Sequence, residues 1–356
     1  MATNARLDES WSLGSLRVPN RVMLAPLAGI GNWFVRLQAK RYGAGMAVSE
    51  MVSSHAIHYR NEKTCKEMLR IDPREREPSP RGPGGPVSIQ LFGENPVVMR
   101  EAAAVVARRG ADAIDINMGC PVPKVRKTGA GAALLDNPEL AVAVARATVE
   151  GARDGAGASA DGIPVTVKLR SGLRPGEHSG FELAHRLVAE AGVAAIGFHP
   201  RSAAVHHKGT PDYELAARLV ESLPAPVILT GGMDDADSVR DAFARTGAAA
   251  VMLARGALGN PWLFAELLET ASAHELEPTR EQVLAELDWT IERAVEHLGE
   301  PRATRYLRKF YPWYVPRLQL DAGVAKSLQE SLQSAPTLAH VGELLELSSR
   351  PPAWSV

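Results

Sequence analysis

Val227-Ile228-Leu229-Thr230 runs into Gly231-Gly232, and after a helix-like stretch the same plan returns as Ala250-Val251-Met252-Leu253 running into Ala254-Arg255-Gly256. Each is a short β-rich run that ends on small or charged residues. Toward the N-terminus the plan recurs at Val22–Pro26, Met46–Val52, Val87–Gly93, Ala113–Asn117, Val165–Leu169 and Ala195–His199. Helix-like segments rich in Ala, Leu, Glu and Arg separate these runs, and that alternation predicts βαβ units and a parallel sheet. Eight units match a closed (β/α)8 barrel, the TIM barrel, which ordinarily takes about 250 residues; an open doubly wound sheet is the alternative. The ends of the runs are polar, reactive or small, as at Gln90, Asn117 to Cys120, Lys168, His199 and Arg201. The loops at the C-terminal ends of barrel strands are where active sites are built, so these residues are the first candidates.

The chain has 356 residues, of which 45% are hydrophobic and 23% charged, so it can bury a substantial core. Its net charge of −1 gives no global attraction to a polyanion or an anionic membrane, and such a partner must be gripped locally. The N-terminal stretch has no continuous apolar core, and no later run reaches the about eighteen apolar residues of a spanning helix. A cytoplasmic protein that does not enter a membrane is therefore expected. Cys65 and Cys120 are the two cysteines, too few for a disulfide framework or a zinc-type cluster.

Asp72–Pro86 and Gly151–Gly162 read as solvated, insertion-like loops. Past Trp262 the β-rich runs stop. Helices are predicted over Glu266–Ala273, Arg280–His297, Ala303–Trp313, Ala322–Gln333 and Leu338–Leu347. The expected plan is a barrel over residues 1–270 and a small all-α domain over 275–356. Between Pro301 and Arg317 stand Arg302, Arg305, Arg308, Lys309 and Arg317 without one acidic residue. Arg302, Arg305 and Lys309 share a helical face by their spacing. Tyr306, Phe310, Tyr311, Trp313 and Tyr314 interleave with them. Basic residues contact phosphates and aromatics stack on bases, while the alternative is an amphipathic helix with its aromatics packed inward.

The segment Asp115-Ile116-Asn117-Met118-Gly119-Cys120-Pro121 makes a strand end and a tight turn that presents a thiol at the barrel mouth, unless the cysteine is buried and inert. With Ala25-Pro26-Leu27-Ala28-Gly29, Ser49-Glu50-Met51-Val52, Gln90-Leu91-Phe92-Gly93, Val167-Lys168-Leu169-Arg170, His199-Pro200-Arg201, Lys127-Thr128-Gly129-Ala130-Gly131 and Gly259-Asn260-Pro261-Trp262, it resembles the tRNA-dihydrouridine synthases, and within them the bacterial branch. The likeness runs in the family's order from about residue 15 to about residue 320.

That resemblance implies an FMN-containing barrel followed by a helical domain that helps hold tRNA, with no stable protein partner. It implies FMN contacts from Pro26, Leu27, Ala28, Gln90, Lys168, His199, Thr230, Gly231, Gly232, Ala254 and Arg255. Phosphate sites of barrels form after strands seven and eight, which agrees with Gly231, Gly232 and Arg255. Lys168 would set a cation beside the reduced flavin; without the family it reads as a snorkelling surface lysine. Thr230-Gly231-Gly232 stands where the family often has Asn-Gly-Asp, and Ala254 where it often has Gly. His206 and His207 replace the usual loop residues and read as solvated. Asn117, Lys124, Lys127 and Arg201 are expected against the target nucleotide, flipped out of the tRNA, and Arg302, Arg305, Arg308 and Lys309 against its backbone. NADPH is the implied reductant. Gly129-Ala130-Gly131-Ala132-Ala133-Leu134 lacks the last glycine of a dinucleotide fingerprint and follows no strand, so no Rossmann site is expected. The implied mechanism delivers hydride to C6 of uracil and a proton from Cys120 to C5. A thiol of ordinary pKa, about 8.5, is mostly protonated at neutral pH and suits an acid. A barrel reductase acting on a free pyrimidine or enone, and an RNA-binding protein without chemistry, are the rival functions.

Overall fold

The computed structural model describes residues 5–82, 84–157, 162–270 and 277–349. Ten strands lie among the described residues: β1 (Trp11–Leu13), β2 (Leu16–Val18), β3 (Val22–Leu24), β4 (Met46–Ser53), β5 (Val87–Phe92), β6 (Ala113–Met118), β7 (Val165–Arg170), β8 (Ala195–His199), β9 (Val227–Thr230) and β10 (Ala250–Leu253). The last eight close into a barrel in the order β10-β3-β4-β5-β6-β7-β8-β9, every pair parallel. These are the eight predicted runs, and the open sheet is excluded.

The apolar residues divide according to strand alternation. Ile89, Ile114, Ile116, Val165, Val167 and Leu229 point outward into the layer shared with the helices. Met23, Met46, Val48, Ala113, Ala195, Ile228 and Ala250 fill the barrel's interior toward one end. The antiparallel β1–β2 hairpin closes that end by adding Trp11, Leu13 and Val18 to the same cluster. Burying three such side chains contributes about 1.5–3 kcal/mol each.

Helix Trp33–Arg41 joins the barrel to the C-terminal helices. Asn32 caps it by accepting from the Phe34 and Val35 N–H groups, and every residue from Trp33 to Lys40 is buried. Gln38 donates to Glu286 at 2.9 Å and to the Tyr314 hydroxyl at 2.8 Å. Phe310, Tyr311, Tyr314 and Leu328 extend the same apolar cluster that surrounds the barrel. No helix among the described residues is long and apolar enough to cross a membrane.

Several expectations are corrected. Asp72–Pro86 is not simply solvated: Pro73–Arg76 forms a 3-10 turn with a complete capping box, and Asp72 and Glu75 are buried. Gly151 to Gly155 are the last turns of helix Pro138–Gly155, because Gly151 and Gly155 lie against the backbone of helix Pro96–Arg108, where a Cβ would meet carbonyls of Arg100 and Ala104; residues 158–161 fall outside the described residues. The helix expected from Glu266 runs instead over Trp262–Leu267, and the rest of that prediction reaches residues 271–273, which are also outside them. The single helix expected over Ala303–Trp313 is two, Glu300–Leu307 and Tyr311–Tyr314. Pro312 accounts for the break, since inside a helix its ring would clash with the carbonyl of Arg308 and it has no N–H to give.

Candidate active site

The open end of the barrel holds a cavity of about 310 Å³. Pro26, Leu27 and Ala28 after β3, Gln90 on β5, Lys168 on β7, His199 at the end of β8, Thr230, Gly231 and Gly232 after β9, and Ala254 and Arg255 after β10 all line it. So do Asn117, Cys120 and Arg201. Lys168 is therefore inside the barrel and not a snorkelling surface residue. Met51 lies inside β4, as in the predicted run Met46–Val52, and an irregularity between Val48 and Met51 re-aims the strand's side chains so that Met51 reaches the wall.

Cys120 rides on a turn held from two sides. The Asn117 side-chain oxygen accepts from the N–H groups of Gly119 at 3.2 Å and Cys120 at 2.9 Å. The Cys120 carbonyl accepts from Ala132 N–H at 3.0 Å, and a Cβ on Gly131 would lie 2.9 Å from that oxygen. The Lys-Thr-Gly-Ala-Gly run thus serves as a close-fitting back wall of the cysteine turn. Asn117 gives one amide N–H to Gln90 Oε1 at 2.9 Å and approaches Met51 Sδ at 3.7 Å. Its side chain is spent largely on holding the turn, which limits the uracil contact expected of it.

Four cations and an imidazole share the cavity wall with the thiol. The Lys168 ammonium makes no hydrogen bond to a described residue; burial, reinforced by Arg170 and opposed by Asp115, lowers it to about 8. Arg170, brought down to about 10 by burial, donates to the Gly119 carbonyl at 3.0 Å, to Ser202 O at 3.0 Å and to His206 O at 2.7 Å. It ties the cysteine turn to the loop after β8. Sequence reading gave it no role, although it stands two residues from Lys168 and so on the same strand face. His199 is held well below the usual imidazole range by burial, with Lys168, Arg170 and Arg201 adding to the effect, and is neutral at physiological pH. Arg201 is fixed by two hydrogen bonds to Gly209 O, at 3.1 and 2.7 Å. Arg255 forms no hydrogen bond or ion pair with a described residue and is exposed at the rim. His206 and His207 are exposed, as expected of solvated loop residues, yet both border the cavity.

Gly231 and Gly232 have φ of 102° and 76°. A Cβ on Gly231 would lie 2.4 Å from His199 Nε2, and one on Gly232 would lie 2.5 Å from Pro211 Cγ. The Thr-Gly-Gly end of β9 is therefore a sterically required cradle.

Outside this cavity, Lys124 and Lys127 are exposed beside the cysteine turn and do not line it. A second cavity of about 290 Å³ is lined by Lys63, Arg302, Arg305 and Lys309 together with Gly29 and Glu50. It adjoins the first, since Ala28 and Met51 belong to one and their neighbours Gly29 and Glu50 to the other. Arg302 is committed to Glu67 through bonds of 2.8 and 2.7 Å, and Arg308 turns away to donate to Ala335 O at 3.2 Å. Arg305 has no protein partner among the described residues, and Lys309 reaches Gly29 O at 3.2 Å. The aromatics are not a stacking platform: Phe310, Tyr311 and Tyr314 are buried and Tyr306 and Trp313 half-buried, because they build the core beneath the basic side chains.

The model of the family described as "Dihydrouridine synthase (Dus)" matches residues 23–346. The chain belongs to the dihydrouridine synthase family. The tRNA-dihydrouridine synthase B of Shewanella oneidensis is 32% identical over 310 residues, covering 85% of this chain and 88% of its own length. A probable tRNA-dihydrouridine synthase of Rhodobacter capsulatus is 36% identical over 307 residues, covering 85% of this chain and 88% of its own length. Among solved structures, histamine dehydrogenase from Rhizobium sp. 4-9 aligns with a TM-score of 0.55 at 14% identity, covering 77% of this chain and 49% of that one. A morphinone reductase in complex with tetrahydroNAD aligns at 0.51 with 18% identity, covering 76% and 92%. At such identities these likenesses carry the barrel alone. The cysteine turn and the Lys-Thr-Gly-Ala-Gly run on which the resemblance was read pack against each other beside the cavity.

Proposed function

We propose that this chain reduces the C5–C6 double bond of uridines in tRNA, with FMN as its prosthetic group and NADPH as reductant. The observation that carries this reading is the thiol of Cys120, fixed on a pinned turn over a cavity whose other walls are Lys168, His199, Gly231 and Arg255. In this reading the barrel of residues 1–270 is catalytic and residues 275–356 help to hold the RNA. Nucleoside mass spectrometry of unmodified tRNA incubated with the protein, FMN and NADPH tests it: uridine gaining two hydrogens is expected, and NADPH oxidation without that gain would favour a small-molecule reductase.

FMN suits these residues. The Gly231-Gly232 cradle tolerates no side chain and lies beside the uncommitted Arg255, as a phosphate site requires. Pro26, Leu27, Ala28 and Ala254 offer apolar or small contacts for a ring system, and Gln90, Lys168, His199 and Thr230 offer polar ones. When bound and reduced, the flavin supplies the hydride that reaches C6 of uracil. Negative charge then grows toward the uracil O4, and the cationic wall that includes Lys168 and Arg170 would stabilise it. Cys120 gives its S–H proton to C5, which discharges the enolate. Neutral His199 contributes a hydrogen bond without adding charge.

Gly231→Ala is expected to yield protein largely free of flavin, because the new methyl group would drive His199 out of the wall. The visible flavin absorbance per mole of protein, measured after gel filtration, checks this; wild-type occupancy would show that the cradle is more yielding than its contacts imply.

For the RNA, Arg305 and Lys309, like Lys63, line the second cavity without forming an ion pair with a described residue. The double substitution Arg305→Glu with Lys309→Glu should weaken tRNA binding and flatten its salt dependence by about two units of slope, at roughly one for each phosphate no longer neutralised. Flavin content should not change. A tRNA titration across a salt series gives the answer, and an unaltered slope would remove this face from the RNA path.

A further inference from the structure

Asp115 lies inside the barrel, fully buried, one layer beneath the cavity. Its neighbours in register are Gln90 on β5 and Thr166 on β7. Thr166 Oγ1 donates to Asp115 Oδ1 at 2.5 Å, and Gln90 Nε2 donates to Oδ2 at 2.6 Å. The other end of the Gln90 amide accepts from Asn117 Nδ2 at 2.9 Å. The other end of Asn117 accepts from the N–H groups of Gly119 and Cys120. A directional chain of hydrogen bonds thus runs from the backbone of the cysteine turn down to one carboxylate.

An amide has one donating and one accepting end, so such a chain holds only if its last member accepts. The backbone N–H groups at the top can only donate, and an ionised carboxylate at the bottom can only accept. We infer that Asp115 is a positioning residue for the proton-donating thiol: as the accepting end of this chain it holds Gln90 and Asn117, and through them the turn that carries Cys120. This rests on the reading of Cys120 as the acid.

The fold gains little else from the group. The other end of the barrel interior is apolar, filled by residues that include Ala113, Ala195, Ile228 and Ala250. Burial pushes the carboxyl up to about 6, and the bonds from Thr166 and Gln90 and the charge of Lys168 only limit the rise. A buried carboxylate is costly, so alanine at this position need not unfold the barrel. Water entering the vacated space donates as readily as it accepts, and would leave the Gln90 amide unfixed.

The test compares Asp115→Ala, Asp115→Asn and Cys120→Ala as flavin-loaded full-length proteins. Asparagine removes the charge but can still turn its oxygen to Gln90 while its amide nitrogen donates to Thr166 Oγ1. For Asp115→Ala, kcat for uridine reduction should fall about tenfold at an unchanged KM for tRNA, with NADPH oxidation in the absence of tRNA unaltered. The rate of iodoacetamide alkylation of Cys120, measured in a Cys65→Ser background, should change about threefold, since the thiol is released from its fixed position. Asp115→Asn should stay near wild type in all three readouts. Two outcomes overturn the inference: undiminished uridine reduction by Asp115→Ala, or an equal loss in Asp115→Asn, which would mean that charge beside Lys168 matters and the accepting end does not. Should the alanine protein fail to retain flavin, Asp115→Asn decides: wild-type turnover and alkylation uphold the chain, and an about tenfold loss at full flavin content sinks it. If Cys120→Ala itself keeps full activity, the underlying reading has failed, whereas the alkylation result still reports on the chain.

Discussion

Cys120→Ala should give a yellow protein that oxidises NADPH and forms almost no dihydrouridine. The thiol is half-buried on the cavity wall, and nothing in the cradle formed by Gly231, Gly232 and Arg255 leans on its sulfur. Removing the sulfur therefore deletes the proposed acid and spares the parts assigned to the flavin. Losing a positioned general acid costs typically 10²–10⁴-fold, and the upper part of that range applies when no other donor can reach the reacting carbon. The groups near Cys120 are poor substitutes. Lys168 and Arg170 are cations whose worth lies in keeping their charge beside the growing enolate, and His199 carries no proton to spare beyond its neutral form. Flavin absorbance, NADPH oxidation without tRNA and nucleoside mass spectrometry on one preparation separate the half-reactions. Full dihydrouridine formation would take Cys120 out of the chemistry. Loss of flavin along with activity would make the turn, through its packing on Gly131, part of the cofactor's own wall.

The barrel was legible because its eight strands are short β-rich runs, apolar on the side that faces the helices and ending in polar or small residues. The β1–β2 hairpin was not, since two three-residue strands separated by Gly14-Ser15 are too short to carry a detectable periodicity. At the site, the residues named at strand ends from Pro26 to Arg255 line one cavity. What sequence could not supply was the state of each polar group. Arg302 and Lys309 look alike as basic residues on one face, yet the first is spent on Glu67 from another loop, a partner distant in sequence. Asp72 and Glu75 looked solvated because Pro, Gly, Arg and Glu surround them. Their burial follows from Arg36, a charge inside a helix with no exposed face, which requires a carboxylate to be brought to it.

That requirement gives the largest stability effect to be expected in the molecule. Arg36 and Glu75 form a two-pronged pair, Nε to Oε2 at 2.7 Å and Nη2 to Oε1 at 2.9 Å, with both side chains fully buried. The guanidinium also donates to Gly31 O at 3.2 Å and to Arg70 O at 2.8 Å, and Glu75 Oε1 accepts from Asp72 N–H at 2.9 Å. Glu75→Ala leaves a buried guanidinium without its counter-charge and should cost about 3–5 kcal/mol, whereas replacing both partners with apolar side chains of similar volume often costs nothing. Urea unfolding of Glu75→Ala beside the double variant Arg36→Met with Glu75→Leu measures the two cases. A large loss in the single and a recovery in the double would assign the cost to the stranded charge; equal losses would show that the double variant loses as much by leaving the Gly31 and Arg70 carbonyls without the Arg36 donor. The consequence reaches the active site, because the Gly31 carbonyl also accepts from Glu50 N–H at 3.0 Å, and Gly31 N–H donates to Leu27 O at 2.7 Å, beside the cavity. If the pair braces that loop, Glu75→Ala protein should release flavin at lower urea than it unfolds, and the double variant, which lacks the Arg36 bond to Gly31, should do so as well despite its recovered stability.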